Sequence, residues 1–116
     1  MSATPQPKVL VLHLAGPGHE PFPDLAMAMR VAGNAAAELP DVEIEILVQG
    51  PSVSQLIGDK AIAEVPEPSV SVYACGNSLR SAGIDPSALP SGVKVIPAAV
   101  AHIAHRQFDG AAYLRV

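Results

Sequence analysis

Five short runs rich in Val, Ile and Leu alternate with segments of helical period, and this alternation constrains the fold more than any other feature of the chain. The first run, Lys8 to Leu14, is almost continuous in β-branched residues and leucine up to His13. Continuous apolar character marks a strand covered on both faces. Further strands are expected over Val42 to Val48, from Ser69 to Ala74 and ending at Cys75, over Val93 to Ile96, and over Ala111 to Val116. Asp24 is placed to cap a helix carrying Leu25, Met29, Ala32, Ala36 and Leu39 at helical spacing, which Pro40 stops. A short helix is expected over Ser52 to Asp59, with Val53, Leu56 and Ile57 to one side. Another runs from Gly76 through Arg80 to Gly83. A last one spans Ala98 to Phe108, with Val100, Ile103, Ala104 and Phe108 as its buried stripe and Gly110 just past its end. The order β-α-β-α-β-α-β-α-β predicts a mainly parallel five-stranded sheet with helices on both faces, joined by right-handed crossovers. Glu43 and Glu45 alternate with Val42, Ile44 and Ile46, so the second strand is expected to have a partly solvated face and to lie nearer a sheet edge.

The chain of 116 residues fits one domain, expected over residues 8–116 behind a disordered tail at 1–7 (MSATPQP). Hydrophobic residues make up 49% and charged residues 16%, which excludes a disordered chain overall. Aromatics make up only 3%, so the core must come from Val, Ile, Leu and Ala, and such weak anchoring hints at a homo-oligomer. The net charge of −4 and the lack of any Lys/Arg run argue against nucleic acid and anionic membrane as partners. The longest apolar stretch, Val93 to Ala101, contains Lys94 and Pro97 and is far too short to span a bilayer. Met1 to Lys8 has no apolar signal segment, so a cytoplasmic location is expected.

In open parallel sheets, ligands bind beyond the carboxyl ends of the strands. That rule selects Leu14 to Pro17, Gln49-Gly50, Cys75-Gly76-Asn77 and Pro97-Ala98. Cys75 is the sole cysteine, which excludes an internal disulfide and leaves too few thiols for a structural zinc site. It is either an inert core thiol or a functional one. At the start of a helix, unpaired amides and the positive end of the helix dipole favour thiolate. Arg80, one turn on, adds positive charge if it folds back. Gly76 permits close approach to the backbone, and Asn77 or Ser78 can cap the helix or hydrogen-bond the sulfur. His13, at the end of the first strand, is either a hydrogen-bonded core residue or a base beside the thiol. His19 is expected to be solvated. His102 and His105 lack a third ligand for a metal and read as a solvated or subunit-contacting helix face. There is no Gly-x-Ser-x-Gly elbow and no phosphate loop, and Gly16-Pro17-Gly18 is only a fragment of a dinucleotide fingerprint, so neither a cofactor nor a metal is expected.

The segment Tyr73-Ala-Cys-Gly-Asn-Ser-Leu-Arg80 resembles the cysteine motif of the DsrE/DsrF-like family of small sulfur-relay proteins, in particular its uncharacterised single-domain branch. Lys8 to His13, Asp41 to Pro51, Asn34, and Val93 through Arg106-Gln107 to Gly110-Ala-Ala-Tyr113 agree in order and spacing, so the resemblance covers about residues 8 to 115. The chain departs from the family around residues 58–68, which are short and Pro-rich, and at Ala15 to Pro23. The resemblance implies a three-layer α/β/α sandwich, assembly into trimers or hexamers, and a cysteine that carries sulfane sulfur between donor and acceptor proteins. Only Cys75 matches the family's reactive position. Asn77 and Arg80 match its flanking motif.

Three functions compete. The first is a sulfur-relay carrier without independent turnover. The second is a non-catalytic oligomeric scaffold or small-ligand binder with an inert Cys75. The third is a small cysteine hydrolase, which would need His13 within hydrogen-bond reach of the thiol.

Overall fold

The structure is a computed structural model and describes residues 7–58 and 68–116. Five strands form where the apolar runs lie: β1 (Lys8–Leu14), β2 (Val42–Val48), β3 (Val70–Cys75), β4 (Val93–Ile96) and β5 (Ala112–Arg115). All neighbours pair in parallel, in the order β4-β3-β2-β1-β5. Three α-helices, α1 (Leu25–Glu38), α2 (Gly76–Ala82) and α3 (Ala99–Phe108), connect them, with 3-10 turns at Gly50–Leu56 and Pro86–Ala88. The expected tail at 1–7 lies, Pro7 apart, outside the described residues, as does most of the Pro-rich stretch near 58–68.

The period-2 geometry of the strands sends alternate side chains to opposite faces. Leu12, Leu14, Ile44, Ile46, Val48, Val72 and Ala74 meet Leu25, Ala28 and Ala32 of α1, Leu79 of α2, and Val53 and Leu56 of the first 3-10 turn. Val11, Leu47 and Cys75 face the other way, toward Ala99 and Ile103 of α3. The result is a three-layer α/β/α sandwich. Each fully buried Leu, Ile or Val stabilises it by about 1.5–3 kcal/mol. The α1 start is fixed by Asp24, whose Oδ1 accepts from the Met27 amide at 2.9 Å.

β1 to β4 lie side by side in chain order, and the described elements between them, α1, the first 3-10 turn and α2, pack on one face. From β4, α3 carries the chain back along the opposite face to β5, beside β1. A reversal of direction with the same handedness requires this change of face. The connections leaving β3 and β4, which are neighbours, therefore part to opposite sides of the sheet, and that is the kind of point where open α/β sheets bind ligands.

Three expectations are corrected. The second strand is central rather than near an edge, and Glu45 is buried at 4% exposure. Its carboxylate is neutralised from α3 rather than by solvent. Of the stripe expected for α3, Val100 and Phe108 lie on its outer side at 75% and 84% exposure, while Ile103 packs against the core. Finally, the short helix after β2 is a 3-10 turn that begins at Gly50 and ends at Leu56. Among the described residues, no helix is long and apolar enough to cross a membrane.

Candidate functional site

Cys75 is the last residue of β3 and lies in register with Ile96, the last residue of β4. Gly76 opens α2 directly, and only two residues separate β4 from α3. The two connections are in close contact. A Cβ on Gly76 would lie 3.2 Å from the Ile96 carbonyl oxygen and 3.3 Å from that of Pro97. The Asn77 amide donates to Pro97 O at 3.2 Å. Glycine is what this approach allows. Gly76→Ala is expected to destabilise the chain by about 1–3 kcal/mol, because backbone rather than a movable side chain must give way. Gly33→Ala is the control: nothing lies within 4 Å of its Cβ, and an alanine in a helix interior stabilises by about 0.5–1 kcal/mol. Denaturant midpoints of the two variants should move in opposite directions.

Between the starts of α2 and α3 lies a crevice of about 360 Å³, walled by Gln49, Cys75, Asn77, Ser78, Ala99 and Val100. Cys75 lies at its floor and is 1% exposed. Burial would push the thiol up. It is outweighed by the Ser78 hydroxyl and by the amides of Ser78, Ala99 and Asn77, so the thiol lies below its ordinary value. Ser78 suits this role because its oxygen already accepts from the Gly50 amide at 2.8 Å, leaving its one proton for the sulfur. Sequence reasoning placed Cys75, Gly76, Asn77 and Ser78 together, and they line or border this crevice.

Arg80 and His13 stand apart from the sulfur. Arg80 is exposed, pairs with the Asn77 side-chain oxygen on its own helix, and is not among the groups acting on the thiol. His13 is 8% exposed, with Nδ1 2.7 Å from the Tyr113 hydroxyl and Nε2 2.7 Å from Gln49 Oε1. Burial lowers its pKa, the Gln49 bond partly offsets that, and the Arg115 charge lowers it further. Both ring nitrogens are engaged, so no lone pair is left to take a proton from Cys75, and the hydrolase reading loses its base.

A second cluster escaped the sequence. Glu45 accepts from Arg106 Nη2 at 2.8 Å and from Arg106 Nε at 2.9 and 3.0 Å, and it contacts His102 Nε2 at 2.9 Å. His102 thus faces the sheet, whereas His105 is exposed. The signal was present in two pieces: a carboxylate within an apolar strand, and a histidine and an arginine four apart on one helix. Among the described residues, no group of three or more His, Cys, Asp or Glu side chains is arranged to hold a metal.

No family model matches the chain, and no curated protein matches it. Several solved structures do, two of which follow. MTH1491, a protein of unknown function from Methanobacterium thermoautotrophicum, superposes with a TM-score of 0.80 at 29% identity, over 94% of this chain and 99% of that one. The YchN protein of E. coli superposes with a TM-score of 0.66 at 17% identity, over 96% of this chain and 100% of its own. The chain shares the α/β fold of these two proteins. The fold alone does not assign a chemistry. That has to be argued from the crevice.

Proposed function

We propose that this protein carries sulfane sulfur as a persulfide on Cys75, receiving it from one thiol and passing it to another. The observation that carries this reading is the sole cysteine at the end of β3, lining a crevice between two helix starts whose amides, with the Ser78 hydroxyl, favour its thiolate. Helix-start amides are the kind of environment that lowers a cysteine's pKa. In the loading step, the Cys75 thiolate attacks the outer sulfur of a donor persulfide. The Cys75 S–S bond forms, the donor's S–S bond breaks, and the donor leaves as a thiolate. In unloading, an acceptor thiolate attacks that same outer sulfur and Cys75 leaves as a thiolate. The amides and the Ser78 hydroxyl stabilise Cys75 both as nucleophile and as leaving group. No net oxidation occurs, so the reaction needs no cofactor. A lone thiol working in this way suits a reducing compartment such as the cytoplasm.

Incubation with a small persulfide followed by intact-mass measurement tests the reading. Wild type should gain one sulfur atom, Cys75→Ser none, and a second thiol should remove it. An equal gain on Cys75→Ser would defeat the proposal. The second reading, a scaffold or ligand-binding domain with an inert cysteine, is favoured by the 1% exposure of Cys75. It predicts no adduct on the folded chain.

The carrier works as a homo-oligomer, a trimer or hexamer, with the outer side of α3 as a subunit contact. Val100 and Phe108 are the apolar side chains most exposed there, and Val100 also walls the crevice. Sedimentation of Phe108→Asp should show a smaller species than wild type. A wild type that sediments as a monomer at all accessible concentrations overturns this part.

A further inference from the structure

Three side chains from three parts of the sheet are joined end to end: Tyr113 on β5, His13 on β1, and Gln49 immediately after β2. The order of protons along this chain follows from Gln49 Oε1, rather than its nitrogen, facing the ring at 2.7 Å. A carboxamide oxygen can only accept, so the proton on the ring must sit on Nε2, facing Gln49. In the neutral ring Nδ1 is then bare, and it accepts the Tyr113 hydroxyl proton at 2.7 Å. Both hydrogen bonds therefore point from Tyr113 toward Gln49.

The consequence falls at the far end. With Oε1 held by His13, the Gln49 amide cannot turn over without losing that bond, so its NH2 group is directed away from the ring. That nitrogen has no hydrogen-bond partner among the described residues and is not a buried orphan either. Gln49 walls the crevice above Cys75. Among the described residues no acidic side chain lines the crevice, and its other walls are Gly, Pro, Ser, Asn, Ala and Val.

We propose that the Tyr113–His13–Gln49 relay presents the Gln49 NH2 as a fixed donor to the crevice, so that Cys75 reacts faster with a small anionic sulfur compound than with a neutral one of the same size. This rests on the crevice being the place where a reactant meets Cys75. Gln49 touches the incoming compound; His13 and Tyr113 are positioning residues acting through it.

The test compares alkylation of Cys75 in the folded protein by iodoacetate, which is anionic, and by iodoacetamide, which is neutral and of similar size. The readout is the ratio of the two rates, with the urea-unfolded chain giving the ratio that a merely loosened fold would approach. Gln49→Met should lower that ratio about fivefold, as expected for loss of one hydrogen bond to a charged group. Tyr113→Phe removes only a hydroxyl at a surface strand and should lower it by about twofold, because the ring tautomer is no longer fixed. Nitrogen NMR of wild type should find His13 protonated on Nε2. An unchanged ratio in both variants, a His13 protonated on Nδ1, or a folded wild type that neither reagent labels each overturns the proposal. An unchanged ratio with normal persulfide loading removes only the Gln49 role. A fallen ratio with no persulfide loading removes only the carrier reading.

Discussion

Arg106→Leu is expected to destabilise the folded chain by about 2–3 kcal/mol and to lower its melting temperature by on the order of 10 °C. The reason lies in what is left behind. The Glu45 side chain is only 6% exposed, whereas that of Arg106 is 34% exposed. Breaking a buried pair by removing one partner costs about 3–5 kcal/mol. The figure here is smaller because Arg106 keeps access to water and His102 still contacts the carboxylate. Glu45→Leu should cost less than Arg106→Leu, since the guanidinium it frees can turn out to solvent while a leucine fits the apolar face around it. The pH dependence has a definite sign. Burial alone would raise the Glu45 carboxyl, but Arg106, then His102, lower it below its ordinary value. A depressed carboxyl stabilises the fold above the unfolded pKa, about 4.3, and loses that contribution as pH falls through the folded value. In Arg106→Leu the contribution is gone. The gap in stability between wild type and variant should therefore widen as pH rises from about 4 to 7, measured by urea unfolding. A gap that is constant across that range contradicts the account of Glu45.

The second large effect is on reactivity. Ser78→Ala removes the hydroxyl acting on the Cys75 sulfur and leaves the Gly50 amide without its acceptor. A hydrogen bond to a charged group contributes about 1.5 kcal/mol, close to one pKa unit and a tenfold change in thiolate fraction. Iodoacetamide labelling of the folded variant near pH 7 should be about tenfold slower than wild type, with a modest stability loss of about 1 kcal/mol. Ser78→Thr keeps the hydroxyl and should keep most of the rate. If alanine and threonine behave alike, Ser78 does not set the thiol's state.

These two predictions draw on opposite sides of what the sequence made legible. The strands were readable because their apolar runs are bounded by turn residues and charged ends. The position of Cys75 followed from the rule that parallel sheets place sites at strand ends. The sequence did not disclose that Ala99, from a different helix 24 positions on, also faces the sulfur. Contacts made by tertiary folding leave no periodic trace. The same applies to Glu45, whose partners lie 57 and 61 positions away. Alternation of charge with apolar residues marks either a solvated face or a buried pair, and only the partner's position separates the two. In α3, two apolar stripes compete. Val100, Ala104 and Phe108 run at intervals of four, as do Ala99 and Ile103. The second stripe is the one that meets the sheet, because Arg106 and His102 beside it find Glu45. Spacing alone left it open to Arg80 to fold back toward Cys75. Asn77, nearer on the same helix, holds it instead.

The central claim is that the end of β3, the α2 start and the α3 start together hold the Cys75 thiol below its ordinary pKa. The pH dependence of its alkylation in folded wild type tests this most directly. Labelling is followed from about pH 5 to 10, with Cys75→Ser as the blank and the urea-unfolded chain as the reference. The account predicts a midpoint clearly below the ordinary cysteine value, about 8.5, and below that of the unfolded chain. A midpoint at or above the unfolded value would mean that burial dominates, and that Cys75 is an inert core thiol.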